Sequence, residues 1–128
     1  MNTIIRTDNL SFSFGRQKVI NDLCLKVPES SVFGFLGPNG AGKSTTIKLL
    51  LGLLTSGREN IFLFGREFRS NRYDILRNIG SLVESPSIYS NLTARENLRY
   101  MDFIFKMGRK RIDEVLKIIG LWDQRDKR

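Results

Sequence analysis

The chain has 128 residues, of which 41% are hydrophobic and 27% charged, with a formal net charge of +8, no histidine and one cysteine. This composition is typical of one soluble globular domain and excludes an internal disulfide or a cysteine-based metal cluster. No apolar run reaches the ~20 residues that span a bilayer, and the N-terminus lacks a secretory signal, so we expect a cytosolic protein. We expect Cys24 to be buried as a small hydrophobe.

The positive charge raises the question of nucleic-acid binding. The basic residues are spread along the chain, and the densest cluster, Arg109-Lys110-Arg111, lies at a predicted helix start. A solvated helix start explains this cluster without a polyanion. A surface that meets phosphate or an anionic membrane is the other interpretation, and composition leaves both open.

The first part of the chain predicts an antiparallel pair of strands. Residues 4–14 alternate apolar and polar, a turn follows at residues 15–17, and residues 19–27 mostly keep a period of two. Residues 32–36 form a continuous apolar run, which is typical of a strand buried on both faces.

After Lys43 the pattern changes to that of a helix. Apolar residues occur nearly all round between positions 47 and 54, which predicts a helix buried in the core and ended by Thr55-Ser56-Gly57. Residues 61–64 and 79–83 predict two further short strands.

Two more helices are predicted in the last third of the chain. Thr93 and Glu96 have the spacing of a capping box, in which each side chain bonds the other residue's backbone N–H. The helix that they open is broken by Gly108, and a second apolar stripe at helical spacing runs from residue 112 to residue 119.

The residues with the clearest chemistry are Gly37-Pro38-Asn39-Gly40-Ala41-Gly42-Lys43-Ser44, which fit the P-loop pattern G-x-x-x-x-G-K-[ST]. Glycines allow positive φ angles and a close approach to phosphates, and successive N–H groups then form an anion-binding nest at a helix start. Lys43 adds a cation for the β- and γ-phosphates, the Ser44 hydroxyl is placed to ligate Mg²⁺, and Thr45 to bond the α-phosphate. The motif predicts binding of ATP with Mg²⁺ through Asn39, Gly40, Ala41, Gly42, Lys43, Ser44 and Thr45.

With these residues the chain resembles the ATP-binding subunit of an ABC transporter. Residues 37–45, GPNGAGKST, are the favoured P-loop of that family, and residues 9–15 followed by 19–23 are similar to its N-terminal antiparallel sheet. The resemblance implies an α/β fold, a P-loop NTPase core of ABC-ATPase type with an N-terminal antiparallel β-subdomain. It also implies that Phe14 stacks on adenine. The residues alone allow the alternative that Phe14 joins Phe12 in a core, since both share a strand face.

Residues 79–90 are similar to the family's Q-loop, and residues 93–119 to the start of its helical subdomain. The usual glutamine is Glu84 here, and we expect its carboxylate to ligate Mg²⁺ together with Ser44, the alternative being a solvated loop charge. The glutamate form resembles subfamilies that export, or give immunity to, antimicrobial peptides, including bacitracin and lantibiotic types. By resemblance, the segment Ser85–Tyr89 would face a transmembrane permease subunit.

The family's later motifs have no counterpart in these residues: there is no L-S-G-G-Q-like signature, no Walker B strand ending in Asp-Glu and no switch histidine. Residues 118–124 are not a Walker B, because Gly120 interrupts the apolar run and Gln124 stands where the catalytic glutamate would be. We interpret residues 1–128 as the N-terminal portion of an ABC-type nucleotide-binding domain, truncated before the signature and Walker B. This predicts ATP binding without hydrolysis, no catalytic residue, and an open strand edge that favours self-association.

The resemblance implies that the intact protein is an ABC-type ATPase, peripheral to the inner face of the cell membrane. Its implied partners are a transmembrane permease subunit and a second nucleotide-binding subunit, and not nucleic acid. Two other hypotheses stay open: a soluble ABC protein that acts on nucleic acid or the ribosome, and a nucleotide-binding module without turnover.

Overall fold

The computed structural model describes residues 2–55, 60–84 and 88–128. The chain divides into two compact units, Met1–Ser85 and Pro86–Arg128. Residues 56–57 of the predicted helix end, and residues 85–87 of the segment expected to face a permease, lie outside the described residues. The helix that begins at Lys43 ends at Leu50, before the end predicted at residues 55–57, so that prediction is wrong; Gly52, with a φ of 65°, follows the helix end.

A long hairpin opens the first unit. Strands β1 (Thr3–Phe14) and β2 (Gln17–Pro28) pair antiparallel, as the sequence predicts, and their register shifts at several points. Near one shift the buried Thr7 hydroxyl donates to the Leu23 carbonyl at 2.8 Å and accepts from the Leu25 N–H at 2.9 Å. The hydroxyl thus satisfies backbone groups that the irregular ladder leaves over.

Two short strands complete the sheet. β3 (Ile61–Leu63) pairs antiparallel with β1, and β4 (Arg66–Glu67) pairs with β3, so the strand order is β2-β1-β3-β4. The strand predicted at residues 61–64 is confirmed, one residue shorter. β4 consists of two residues, both exposed, so its sequence has no apolar alternation that would predict a strand.

Two helices of this unit, α1 (Lys43–Leu50) and α2 (Phe68–Leu76), contribute to the core that the sheet forms. Each large apolar side chain removed from water contributes about 1.5–3 kcal/mol to folding. The buried core consists of Leu10, Phe12, Ile20, Leu49, Ile61, Leu63, Phe68 and Ile75. Only Phe68 and Ile75 of α2 are buried, and they lie two turns apart, which is why its sequence shows no clear helical stripe.

Two predicted strands are wrong. Residues 32–36 and 79–83 have no strand structure, and the side chains of Val32 and Leu36 are almost fully exposed. A strand buried on both faces needs hydrogen-bonded neighbours in a covered sheet. In the ranges that the structure describes, no strand pairs with either segment.

Two burial predictions are also wrong. Helix α1 buries only Thr46 and Leu49, because one face meets the core while Ile47 points to solvent. Cys24 is exposed, since side chains alternate along β2 and position 24 lies on the outer face. Its Sγ accepts a hydrogen bond from the Asn9 N–H at 3.3 Å.

The second unit is helical: α3 (Ala94–Phe105), α4 (Gly108–Ile118) and a short 3₁₀-helix (Trp122–Gln124). The predicted capping box is confirmed, with the Thr93 Oγ1 accepting from the Glu96 N–H at 3.2 Å and the Glu96 Oε2 accepting from the Thr93 N–H at 2.8 Å. The predicted break before Gly108 is confirmed as well. Residues 118–124 form a helix end and the 3₁₀-helix, so they are not a Walker B strand.

Candidate nucleotide-binding site

The glycine-rich loop at residues 37–42 leads directly into α1. Gly40 and Gly42 have φ angles of 83° and 86°, in the left-handed region that favours glycine. The Ala41 N–H donates to the Pro38 carbonyl at 3.2 Å, and the Thr46 N–H to the Gly42 carbonyl at 2.8 Å, which begins the helix. The loop therefore has the turn and the helix start that the P-loop motif requires.

Strand β2 holds this loop at Gly42. A Cβ atom at that position would lie 3.1 Å from the Val19 carbonyl oxygen and 3.4 Å from Cγ1 of Ile20. Any side chain there would be strained by its φ angle and by this contact. The hairpin thus fixes where the loop enters α1.

The start of α1 is free of the groups that usually satisfy a helix N-terminus. Its N-cap is Gly42, which has no side chain that could cap the helix, and the first turn contains no acidic residue. The first N–H groups of the helix are therefore available to an oxyanion, which the helix dipole also favours. Sequence reasoning missed Thr46, whose buried hydroxyl donates to the Gly42 carbonyl at 2.9 Å and stiffens this turn.

Lys43 folds back over the loop. Its Nζ donates to the Gly37 carbonyl at 2.6 Å and to the Pro38 carbonyl at 2.7 Å. The ammonium closes the loop on itself, and it must share or leave these carbonyls to reach a phosphate.

A pocket of about 220 Å³ opens where the loop meets α1. It is lined by Val19, Asn39, Gly40, Gly42, Lys43, Ser44 and Thr45. The structure thus brings together the loop residues predicted to bind the nucleotide, residues 39–45, except Ala41, whose N–H is bonded within the loop. Val19 was missed, because a strand residue that reaches the loop through the fold leaves no local signal.

Phe14 lies at the end of β1 and is 52% exposed. Its ring packs edge-on against Phe12, with centroids 4.9 Å apart and an interplanar angle of 87°. It is not part of the pocket lining. It pairs with Gln17, and Val19 of the lining follows two residues later on β2. Both expectations for Phe14 keep support: the ring touches the core, and much of it is open to a base.

Glu84 is bound to α1 through Lys48. The Lys48 Nζ donates to the Glu84 Oε1 at 2.7 Å, and this hydrogen bond and the lysine's charge lower the pKa of the Glu84 carboxyl below its usual 4.5. Ser44 and Lys48 are four residues apart, so they share one face of α1. In the described ranges, no group of three or more His, Cys, Asp or Glu side chains is arranged so that it could hold a metal ion. The hydroxyl of Ser44 and the carboxylate of Glu84 are nevertheless oxygen ligands of the kind that Mg²⁺ takes.

In the second unit, Asn97 holds the described end of the segment expected to face a permease. Its Oδ1 accepts from the Tyr89 N–H at 2.9 Å and its Nδ2 donates to the Tyr89 carbonyl at 3.1 Å. Ile88 and Tyr89 themselves are exposed. Sequence reasoning missed Asn97, a helix residue whose role depends on the folded turn before it.

The chain matches the sequence profile described as "ABC transporter" over residues 20–128. It is 49% identical over 122 residues to the "Bacitracin transport ATP-binding protein BcrA" of Bacillus licheniformis, which covers 94% of this chain and 40% of that protein. It is 36% identical over 118 residues to the "Lantibiotic transport ATP-binding protein SrtF" of Streptococcus pyogenes, which covers 92% of this chain and 50% of that protein. The chain thus spans about half or less of the length of these relatives.

Solved structures agree in fold. A structure titled "Structure of ATP binding subunit of ABC transporter" superposes with a TM-score of 0.76 at 27% identity, over 97% of this chain and 53% of that one. The structure of cbiO1 from Clostridium perfringens gives a TM-score of 0.81 at 20% identity, over 99% of this chain and 54% of that one. Among the helices that the structure describes, none is long and apolar enough to cross a membrane. The chain therefore belongs to the ABC transporter family, with the α/β fold of its ATP-binding subunits.

Proposed function

We propose that this chain binds MgATP at residues 37–45 and serves as part of the ATP-binding subunit of an ABC transporter. The observation that carries the proposal is the loop itself: fixed by β2 at Gly42, it opens on an uncapped helix start and a pocket lined by Lys43 and Ser44. This arrangement suits a polyphosphate, because backbone N–H groups, a helix dipole and one cation converge on it.

Each residue then has a defined task. The N–H groups of the loop and of the first turn of α1 hold the phosphates, and Lys43 exchanges its loop carbonyls for the β- and γ-phosphates. Ser44 and Glu84 would hold Mg²⁺, and the bound ion would neutralise part of the phosphate charge. Thr45 bonds the α-phosphate, and the exposed part of Phe14 stacks on adenine.

We further infer the role of the intact protein. The relatives' names, bacitracin transport and lantibiotic transport, support the transport of antimicrobial peptides across a membrane. They favour this role over that of a soluble protein acting on nucleic acid or the ribosome. The subunit would lie in the cytoplasm at the inner membrane face, contact a permease through Ser85–Tyr89, and pair with a second nucleotide-binding subunit.

A titration with a fluorescent ATP analogue, competed by ATP or by inorganic tripolyphosphate, tests the site. Lys43→Ala should weaken the binding of both competitors. The control Lys26→Ala, which removes an exposed cation on β2, should change the affinity for neither. Phe14→Ala should weaken ATP by about fivefold to a hundredfold and leave tripolyphosphate unchanged, since base stacking contributes ~1–3 kcal/mol. Equal binding by wild type and Lys43→Ala would contradict the proposal.

We also propose that these 128 residues bind ATP without turnover. Hydrolysis needs a group that orients the attacking water, and the sequence contains neither a histidine nor an Asp-Glu pair after an apolar strand. A phosphate-release assay should give the same background rate for wild type and Lys43→Ala. A wild-type rate of about 1 s⁻¹ or more, lost in Lys43→Ala, would show that the chain is a complete enzyme.

A further inference from the structure

We propose that the second unit contains a separate binding site for a phosphate group, formed by Arg95, Arg99 and Arg109. These three side chains, with Ile112 and Asp113, line a pocket of about 200 Å³. At roughly 30 Å³ per water molecule, this space holds a small oxyanion with part of its hydration shell. The site lies in a different unit from the ATP loop and does not depend on the proposed function.

The charge of the pocket is unbalanced. Three guanidinium groups and one carboxylate, that of Asp113, line the pocket, and a second carboxylate, that of Asp126, lies 3.6 Å from Arg95. Among the described residues, Arg109 has no ion pair, and Arg99 acts only through the charge of Glu96, whose pKa it helps to lower. An arginine fork is shaped to give parallel hydrogen bonds to the oxygens of a phosphate. Two such forks that make no hydrogen bond to a carboxylate and line one pocket favour an anionic ligand.

Arg95 is oriented but not satisfied. Its guanidinium lies 5.7 Å from the centre of the Trp122 ring, and its nitrogens are 3.8 Å from Asp113 and 3.6 Å from Asp126. Both distances are longer than a direct hydrogen bond. Its Nε is buried without a hydrogen-bond partner among the described residues. A buried donor left unpaired is costly, and an oxyanion that reached this Nε would lower that cost.

The start of α4 gives an independent argument. The helix begins with Gly108-Arg109-Lys110-Arg111 and has no acidic residue in its first turn, and the Gly108 N–H donates to the Asp102 Oδ1 at 2.7 Å. Cations at the positive end of a helix dipole are unfavourable, by about 0.3–1 kcal/mol each. The unfavourable charge of Arg111 is offset by its contact with Glu114 at 3.1 Å, whereas Arg109 has no such contact in the described ranges. A bound anion beside Arg109 would add to the charge of Asp102 in offsetting this penalty.

The phosphate group can come from two sources, a soluble phosphate compound or an anionic phospholipid headgroup. Trp122 is the only tryptophan of the chain, so its fluorescence reports on this unit alone. The experiment follows that emission while inorganic phosphate replaces chloride at constant ionic strength. Vesicles of phosphatidylglycerol, with phosphatidylcholine vesicles as the neutral comparison, then compete with phosphate.

A saturable change of Trp122 emission is expected for the wild-type chain. Arg99→Gln and Arg109→Gln should each weaken phosphate binding by about tenfold or more, because each removes a charged hydrogen-bond donor. The matched control Lys110→Gln makes the same charge change beside the pocket and should alter the affinity by less than about twofold. Circular dichroism spectra and melting temperatures equal to those of the wild type show that all three variants are folded.

If vesicles of phosphatidylglycerol compete with phosphate and those of phosphatidylcholine do not, the ligand is a lipid headgroup. If neither kind of vesicle competes, the ligand is a soluble phosphate compound. A wild-type chain without saturable phosphate response overturns the proposal. An equal loss in Lys110→Gln and Arg109→Gln also overturns it, since the effect would then be one of net charge.

Discussion

Lys48 of α1 donates a 2.7 Å hydrogen bond to Glu84, a residue 36 positions later in the chain. Lys48 follows Ser44 by one helical turn, and Glu84 adopts a left-handed φ of 64°. The pair therefore ties the segment after α2 to the helix that begins at the glycine loop. By resemblance this position is usually a glutamine, and the glutamate here makes its contact with Lys48 a charged one.

This pair predicts a pH-dependent contribution to stability. The neighbouring lysine lowers the pKa of Glu84 in the folded chain, so the stabilisation is present above the ordinary value of 4.5 and is lost as the pH falls through the lowered value. Wild type should melt at a higher temperature than Glu84→Gln at neutral pH, and the difference should shrink at about pH 3. In the Lys48→Met background, Glu84→Gln should have no such effect. An equal difference at both pH values would contradict the assignment.

Gly42 should be the glycine of the loop that tolerates replacement least. Gly40→Ala and Gly42→Ala both place a Cβ on a left-handed backbone, which costs about 1–2 kcal/mol. Only at Gly42 does the added atom also meet the Val19 carbonyl and Ile20, whereas nothing lies within 4 Å at Gly40. The tight contact should add about 1–3 kcal/mol, measured by urea unfolding. Equal losses in the two variants would show that β2 does not press on the loop.

The capping box should set the stability of α3. Thr93→Ala removes the acceptor for the Glu96 N–H and should destabilise the chain by about 1 kcal/mol, whereas Thr93→Ser keeps the hydroxyl and should cost less than half of that. Thermal melting followed by circular dichroism measures both. A serine variant as unstable as the alanine variant would mean that the methyl group, not the hydroxyl, is what matters.

Ser44→Ala should distinguish the contribution of Mg²⁺ to binding from that of the nucleotide alone. If the hydroxyl ligates Mg²⁺, the variant should lose about tenfold in affinity for the ATP analogue with Mg²⁺ and little in the presence of EDTA. Thr46→Ser, which keeps the buried bond to the Gly42 carbonyl, serves as the control in the same helix. Losses of equal size with and without Mg²⁺ would indicate a role in folding the loop rather than in holding the metal.

The features that the sequence predicts correctly are those encoded within a few residues. The capping box of Thr93 and the glycine loop before Lys43 each carry their geometry in local residue types, and the β1–β2 hairpin in a simple alternation. The strand predicted at residues 32–36 fails because burial on both faces depends on neighbours far away in the chain. Val19 of the loop pocket was missed for the same reason, since it reaches the site only through the fold.

The central claim is that residues 37–45 form a cradle for polyphosphate, and amide NMR tests it most directly. Titration of the labelled chain with MgATP should shift a set of loop N–H signals together, those of Gly40, Gly42, Lys43, Ser44 and Thr45. All should follow one saturation curve, and Lys43→Ala should lower the affinity that this curve gives. Those of β4 should stay in place. If these loop signals remained unchanged while ATP bound elsewhere or not at all, the account of this site would be wrong.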